Sequence, residues 1–400
     1  QNTFVKDMWK NCYSGISRAN TAIAKIPEIK MNESKKNRLI AEARTLRALY
    51  YFNLVRFFGD VPLILDLKTV EDSKGPRDSK ELIYDQIIED LTFAEEHLPL
   101  RSEYSASDEG RINKGAAKIL FGKVYLTKGD FQKAKDKLAE VVEHESEYGF
   151  GLHKDYHANW LRDTEAGIEA VLYIEYKEPP FQHNGEMALA GPKYSIPGSL
   201  GISALNEADI PTQELYDQFD NRDLRKKTNF KTEFAHLKTG EILKSSIPLS
   251  GKFWVEGLET GDRCDVNMHI IRYADAILMY AEALNEVGKS TKALAMLNRI
   301  RERAFGDDSG NFKPMSKDEF RTAILNERRL EFPHEGHRWF DLVRTGTFIQ
   351  RMKEHSAYEA KVAEANKTEI AQNIKEHMIL MPIPQSEIDL NPNLVQNAGY

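Results

Sequence analysis

The chain has 400 residues, of which 41% are hydrophobic and 29% are charged, with a formal net charge of −7 and a pI near 6.0. A chain of this length and composition is globular and buries a substantial core, so its stability requires neither disulfides nor structural metals. The acidic balance argues against a general nucleic-acid binder, which needs Lys and Arg patches to neutralise phosphates. The sequence has no apolar run of about 20 residues, and residues 1–10 lack the basic start and apolar middle of a signal peptide.

Three amphipathic helices are predicted in the first hundred residues, over 4–29, 34–58 and 78–98. In the first, an apolar stripe at helical spacing consists of Trp9, Tyr13, Ile16, Ala19 and Ile23. The second helix is expected to end at Gly59, before Pro62, because glycine and proline terminate helices.

The two cysteines, Cys12 and Cys264, are far apart and do not form a disulfide framework or a metal-binding spacing. No apolar run precedes Cys12, so it is not a lipoprotein anchor in this chain. We expect two structural thiols.

A pair of helices joined by a short turn occurs in two places. Residues 115–144 have two apolar helical faces separated at Gly129, and residues 274–300 repeat the pattern. Six positions match at identical offsets: Gly122, Tyr125, Gly129, Ala134, Leu138 and Val141 correspond to Ala281, Leu284, Gly288, Ala293, Leu297 and Ile300. This spacing is typical of tetratricopeptide (TPR) repeats, in which small residues let two helices approach closely.

The region between the two pairs has a different pattern. Residues 169–176 (EAVLYIEY) indicate a short strand, and the remainder is rich in Gly, Pro, aromatic and polar residues. A long irregular segment inserted in a helical scaffold is usually functional or disordered. The aromatic content of this segment favours an ordered functional region. We predict TPR-like helical pairs in 1–145, an irregular ligand-binding insertion in 146–270, a TPR-like pair with the EGHRWFDLVR motif in 271–346, and a C-terminal helix with a Pro-rich end in 347–400, including an amphipathic stretch near 351–377.

The segments that resemble motifs for catalysis, cofactors or metals lack the residues or the spacing that those motifs require. Gly288-Lys289-Ser290 imitates the end of a P-loop, but Ala283 stands where the upstream glycine is required, in a helix-to-helix turn. Glu331, His334, Glu335 and His337 resemble a metal cluster, but the two histidines are three residues apart and Pro333 and Gly336 break the helix that would align them. Hydrogen bonding around a tight turn is the favoured interpretation. We therefore expect no enzyme activity, no cofactor and no metal.

Several segments occur in the order typical of one known family. They are the pattern Trp9-x3-Tyr13-x2-Ile16-x3-Asn20, AEARTLRALYYFNLVRFFGDVPLIL (41–65), GRINKGAAKILFGKVYLTKGDF (110–131), IIRYADAILMYAEALNEVG (270–288), LNRIRERA (297–304), ILNERRLEFPHEGHRWFDLVRTG (324–346) and LMPIPQSEIDLNPNLVQNAGY (380–400). Together they closely resemble the SusD/RagB family of Bacteroidetes surface lipoproteins, across nearly the whole chain.

The resemblance implies a mainly α fold, a right-handed TPR-like superhelix of about four helix pairs that carries an irregular, loop-rich subdomain with little strand. It implies attachment to the outer membrane at the cell surface through an N-terminal lipidated cysteine, in a segment that is absent from this chain. It also implies a partner, a SusC-like TonB-dependent transporter, to which a captured glycan is delivered, and no interaction with nucleic acid. Some ligand contacts in the family come from the segment that precedes the Trp9 motif.

Candidate ligand residues are aromatic side chains beside polar groups in loops, because an aromatic ring stacks on the apolar face of a sugar while polar groups bond its hydroxyls. Six residues of the insertion are candidates: Trp254, Phe253, Tyr194, Phe181, Asn184 and Trp160. Trp254 has no periodic partner and is the first choice, whereas Trp160 is also a candidate for the core, as are Trp9 and Trp339. Alternative functions are oligopeptide capture, as in RagB-like members, a TPR scaffold that recruits proteins, and a hydrolase with carboxylates in the insertion.

Overall fold

The computed structural model describes residues 2–66, 69, 73–177, 184–362 and 373–400, and 56% of these residues are helical. The helices are α1 (Thr3–Lys25), α2 (Glu33–Phe58), α3 (Lys80–His97), α4 (Lys114–Lys128), α5 (Phe131–Val142), α6 (Glu145–Tyr148), α7 (Glu186–Ala190), α8 (Gln213–Gln218), α9 (Lys226–Asn229), α10 (Tyr273–Glu286), α11 (Ser290–Phe305), α12 (Lys317–Glu331), α13 (Arg338–Arg344), α14 (Phe348–Val362) and α15 (Gln385–Leu390). The strands are β1 (Ala170–Ile174), β2 (Phe230–Ala235), β3 (Ile242–Ser250) and β4 (Met268–Arg272). The prediction of a mainly α fold with little strand is confirmed.

The chain forms two compact units, one of residues 1–129 and 342–400 and the other of residues 130–341. In the first unit, α1 packs on α2, α2 on α3 and α3 on α4. Small buried residues, Ala41, Ala94 and Ala117, lie at one of these contacts and let the helix backbones approach closely. These four helices begin at side-chain caps, for example Asn113, whose Oδ1 accepts from the N–H of Ala116. The predicted helices over 4–29, 34–58 and 78–98 are confirmed as α1, α2 and α3.

A buried ion pair lies in the core of the first unit. The guanidinium of Arg47 donates to both carboxylate oxygens of Asp90, at 2.8 and 2.7 Å, and to Asn20 Oδ1 at 2.8 Å. Arg47 and Asp90 are both buried. Burial opposes ionisation of Asp90 and raises its pKa, although the hydrogen bonds and charge of Arg47 act in the opposite direction.

In the second unit, α10 is the central helix and packs against α5, α11 and α12. The repeat positions Ala281, Leu284, Ala293, Leu297 and Ile300 are all buried. Gly288, at the turn between α10 and α11, has φ of 78°, a left-handed conformation that favours glycine. The predicted hairpin is confirmed here, and the helices and Gly129 turn predicted for 115–144 are confirmed as α4 and α5.

The segment between α5 and α10 consists of short elements and loops. The antiparallel pair of β1 and β4 confirms the strand predicted at 169–176, and β2 pairs with β3 in a second antiparallel sheet. Strands β2, β3 and β4 were not predicted from the sequence. The helix predicted near 351–377 begins earlier, at Phe348, and residues 363–372 lie outside the described part of the chain.

A cluster of buried charges joins the elements of the second unit. Arg272 donates to Glu331 at 3.0 Å, to Glu335 at 2.7 and 2.9 Å, and also to Glu169. The other buried members are Asp223, Arg225, Lys252, Arg303 and Glu327. Burial opposes ionisation of Glu335, but Arg272 and Lys252 outweigh it and hold the pKa of Glu335 well below its usual range.

This cluster explains the motif that resembled a metal site. Glu331 and Glu335 form ion pairs with Arg and Lys side chains, and His334 contacts Asp209, with His334 Nδ1 3.1 Å from Asp209 Oδ2. Helix α12 ends at Glu331 and α13 begins at Arg338, so the predicted tight turn is confirmed. Within the described ranges, no group of three or more His, Cys, Asp or Glu side chains is placed to hold a metal ion.

Glu165 is expected to make the stability of the protein depend on pH. Its carboxylate is buried and accepts from the N–H of Asn267 at 2.9 Å, and burial raises its pKa from 4.5 to about 7. The folded chain therefore keeps a proton that the unfolded chain releases, so this contribution to stability is fully present below pH 4.5 and is lost as pH rises through about 7. As pH rises from about 5 to about 8, we expect the stability of Glu165→Gln to decrease less than that of the parent. Thermal denaturation at each pH measures the difference.

The control for this experiment is Glu241→Gln, because Glu241 is exposed and precedes β3. It should follow the pH profile of the parent. Parallel profiles for the parent and Glu165→Gln would contradict the assignment.

Candidate functional site

Exposed aromatic side chains are few. Among the described residues, three are largely exposed: Phe4 at 80%, Tyr194 at 75% and Tyr400 at 48%. Phe4 and Tyr400 belong to the first unit, and Tyr194 belongs to the second. Folding normally buries much of a tyrosine ring, so the exposure of Tyr194 identifies its loop as a candidate binding surface. The ammonium of Lys193 lies 5.1 Å from the centroid of the Tyr194 ring.

One carboxylate holds the backbone on both sides of Tyr194. Oε1 of Glu207 accepts from the N–H groups of Lys193, Tyr194 and Ser195 at 2.6, 2.8 and 2.8 Å, and from the Ser195 hydroxyl at 2.7 Å. Burial alone would raise the pKa of Glu207, but these hydrogen bonds, those of Ser195 first, outweigh it and lower the pKa below its usual value. Glu207 therefore stays ionised at neutral pH. We refer to residues 193–195 and Glu207 as the Tyr194 clamp.

The Tyr194 clamp is continuous with two paired loop segments, 188–191 and 206–209. Four backbone hydrogen bonds join them, from Asn206 to Ala188, from Glu207 to Gly191, and from Ala208 and Asp209 to Leu189. Glycine is required at 191, because a Cβ there would lie 2.5 Å from Leu205 Cδ2 and 2.7 Å from the carbonyl oxygen of Met187. The loop that presents Tyr194 thus has a defined backbone conformation.

Strand β3 places polar side chains beside the clamp. The N–H of Ser246 donates to the carbonyl of Ser195 at 2.9 Å. Ser246 and Lys244 are exposed on this strand, and Lys244 pairs with the exposed Glu233 of β2 at 3.1 Å. An exposed ring beside hydroxyl and charged groups has the composition of a surface that binds polar ligands with apolar faces.

Trp254 packs against the hydrophobic cluster in which the Tyr194 loop is anchored through Ile196. It packs against a cluster formed by Ile196, Leu200, Leu205, Phe234 and Leu249, and its ring meets Phe234 edge-to-face at a centroid distance of 4.7 Å. Its Nε1 is buried and has no hydrogen-bond partner among the described residues. Trp254 is partly buried, so its role as the principal ligand platform remains a prediction.

Three other predicted site residues lie in the interior. Trp160 and Phe253 are buried in a cluster with Tyr156, Met187, Cys264 and Val266. Asn184 is also buried; its amide donates to the carbonyl of Val266 at 2.9 Å and its Oδ1 accepts from the N–H of Glu186 at 2.8 Å. These side chains present no open face, and we retain only Tyr194 and Trp254 in the candidate surface. Phe181 lies outside the described residues.

The first unit has a pocket of about 400 Å³ between α1 and the C-terminal segment. Its lining includes Trp9, Tyr13, Ile64 and Leu394. The Trp9 ring packs edge-to-face on Phe58 at 5.0 Å and against Tyr13 at 5.1 Å, so it offers no free face for stacking. Polar and charged side chains also line the pocket, those of Lys10, Ser73, Lys74, Glu387 and Asn391.

Two further observations concern chemistry and membranes. Cys12 and Cys264 are buried and unpaired, and burial raises the pKa of both thiols, so the prediction of structural thiols is confirmed. None of the helices in the described ranges is both long and apolar enough to cross a bilayer.

Comparison with known proteins identifies the family to which this chain belongs. The family model described as "SusD family" matches residues 248–400, and the one described as "Starch-binding associating with outer membrane" matches residues 1–126. A SusD-like protein P2 of Formosa agariphila is 31% identical over all of this chain and 81% of that protein. The chain therefore belongs to the SusD family, and the predicted resemblance is confirmed.

Solved structures agree with this assignment. A SusD superfamily protein of Parabacteroides distasonis has a TM-score of 0.83 and 28% identity, covering 100% of this chain and 87% of its own. A structure described as a laminarin binding SusD-like protein has a TM-score of 0.78 and 29% identity, covering 98% of this chain and 85% of its own. The TPR-like helical fold predicted from the sequence is that of this superfamily.

Proposed function

We propose that this protein is a cell-surface binder that captures a glycan at the surface around Tyr194. The exposed Tyr194 ring, fixed by the clamp, is the observation that carries the proposal. Membership of the SusD family and similarity to a laminarin-binding relative support a glycan as the ligand class.

The geometry suits saccharide binding by stacking. One face of a pyranose ring carries C–H groups and its rim carries hydroxyls, so an exposed aromatic ring contacts the face while neighbouring polar groups bond the rim. Ser246, whose N–H donates to the carbonyl of Ser195, supplies such a polar group near Tyr194, and the exposed Lys244 lies two residues away on the same strand. Because the clamp orders the loop before the ligand arrives, binding orders few additional residues, which favours affinity.

The proposed role continues beyond capture. The protein holds the glycan without cleaving it and delivers it to a SusC-like TonB-dependent transporter. In this proposal it is attached to the outer membrane by an N-terminal lipid, and a family description that names association with the outer membrane supports that location. Residues of the second unit carry the ligand surface.

The test is calorimetric titration with laminarin of the parent, Tyr194→Ala, Tyr194→Phe and the control Phe4→Ala. Removing the Tyr194 ring should raise the Kd at least about tenfold, the equivalent of ~1.4 kcal/mol, whereas Tyr194→Phe should retain most of the affinity because it keeps the ring. Phe4 is equally exposed but lies in the other unit, so Phe4→Ala should bind like the parent. The melting temperatures should hardly change, since exposed side chains contribute little to stability.

Two results would contradict the proposal. The first is equal affinity of Tyr194→Ala and the parent for every glycan that the parent binds. The second is release of reducing ends from a bound glycan by purified protein, which would show turnover. A parallel titration with oligopeptides distinguishes the peptide-binding alternative, because the parent should not bind them.

A further inference from the structure

We infer that Glu207 is the positioning residue of this binding surface: its carboxylate fixes the Tyr194 loop in the conformation that accepts the ligand. The inference rests on the proposed function, since it assigns to Tyr194 the role of platform. Neither the family motifs nor the spacing of residues in the sequence singles out Glu207.

Four hydrogen-bond donors converge on one atom of Glu207. Three consecutive backbone N–H groups, those of Lys193, Tyr194 and Ser195, and one hydroxyl all point to Oε1 of Glu207. Hydrogen bonds to an ionised acceptor are stronger than those to a neutral one. A single side chain therefore determines the backbone conformation on both sides of the exposed ring.

The Tyr194 side chain itself contributes little to holding the loop. The ring is 75% exposed, so packing does not fix the direction in which it points. The neighbouring Ile196 is buried in the cluster that contains Trp254, which anchors only the C-terminal side of the loop. The position of Tyr194 therefore depends on its backbone, which Glu207 holds at three consecutive N–H groups and Ser246 holds at the carbonyl of Ser195.

Glu207 has a strained backbone conformation. Its φ is 26°, a region that non-glycine residues rarely adopt. The hydrogen bond from its N–H to the carbonyl of Gly191 and those of the flanking residues 206, 208 and 209 keep it there. Strain of this kind persists where the surroundings over-determine it and is frequent at binding sites.

The experiment is a double-mutant cycle for laminarin binding, with Glu207→Ala, Tyr194→Ala and the double variant. We expect Glu207→Ala to raise the Kd about tenfold, as Tyr194→Ala does, and to have no further effect when Tyr194 is already Ala. Glu207→Gln keeps an acceptor oxygen and should recover part of the affinity. Glu302→Ala is the control, because Glu302 is an exposed glutamate of α11 that accepts a hydrogen bond from Asn311.

Amide hydrogen exchange without ligand supplies an independent readout. The Tyr194 amide should be protected in the parent and in Glu302→Ala, and should lose protection in Glu207→Ala. Equal effects of Glu207→Ala on the Kd in both backgrounds, or a Tyr194 amide that stays protected in Glu207→Ala, would overturn the inference. If Tyr194→Ala binds like the parent, the proposed function fails instead, and the exchange of the Tyr194 amide still shows whether Glu207 holds the loop.

Discussion

Replacing Arg272 by Met is expected to lower the free energy of unfolding by roughly 3–5 kcal/mol, because a buried ion cluster loses one cation and keeps its anions. Arg272 is fully buried and contacts three carboxylates, those of Glu169, Glu331 and Glu335. In the variant, the carboxylates of Glu169 and Glu335 lose their closest guanidinium partner. Urea denaturation monitored by circular dichroism measures the change.

Arg321→Met is the matched control for this prediction. Arg321 also binds a carboxylate with two nitrogens, Glu286 at 2.7 Å each, but its side chain is half exposed. Water solvates the Arg321 guanidinium, and Glu286 keeps its ion pair with Lys317 at 3.2 Å in the variant, so the loss should stay below about 1 kcal/mol. Equal losses for the two variants would show that the buried cluster contributes no more than a surface pair.

The second large effect is expected in the first unit, for Arg47→Met. Without the guanidinium, the buried carboxylate of Asp90 keeps only the weaker contacts to Gln86, at 3.3 Å, and to the more distant Arg44, at 3.6 Å. Breaking such a pair costs roughly 3–5 kcal/mol, because the remaining charge stays out of water without its partner. The free energy of unfolding from denaturant titration is the measurement.

The double variant Arg47→Met/Asp90→Leu distinguishes the loss of the ion pair from the cost of leaving the buried carboxylate of Asp90 unpaired. Replacing both charges by apolar groups removes the unpaired carboxylate, so the double variant should be more stable than Arg47→Met alone. Arg111→Met removes an ion pair with Glu42 that is partly exposed and should cost much less. A double variant that is less stable than the single one would contradict the explanation based on an unpaired charge.

The helical part of the fold follows from the sequence because its signals are local. The helix pair around Gly288 was predicted from apolar positions at helical spacing and a glycine at the turn, and both features depend only on neighbouring residues. Strand β3 gave no comparable signal. Its segment ILKSSIPLS contains Pro248 and three serines, and it pairs with β2 across a turn that carries no Asn-Gly or Asp-Gly pair.

The candidate site depends on contacts between distant segments, which one sequence does not reveal. Trp254 was singled out because it had no periodic partner, yet its partners, Phe234 and the loop around Leu200, lie elsewhere in the chain. Tyr194 was predicted as one of several aromatic residues, and only its exposure distinguishes it. Glu207 was missed, because a carboxylate that binds backbone N–H groups leaves no motif in the sequence.

A crystal structure of the protein with a laminarin oligosaccharide is the most direct measurement of where the ligand binds. A sugar ring should lie against the Tyr194 ring, with carbon atoms about 4 Å apart, and its hydroxyls should face Ser246 or Lys244. A saccharide bound in the pocket near Trp9 instead, with the Tyr194 ring left open to solvent, would contradict the proposal.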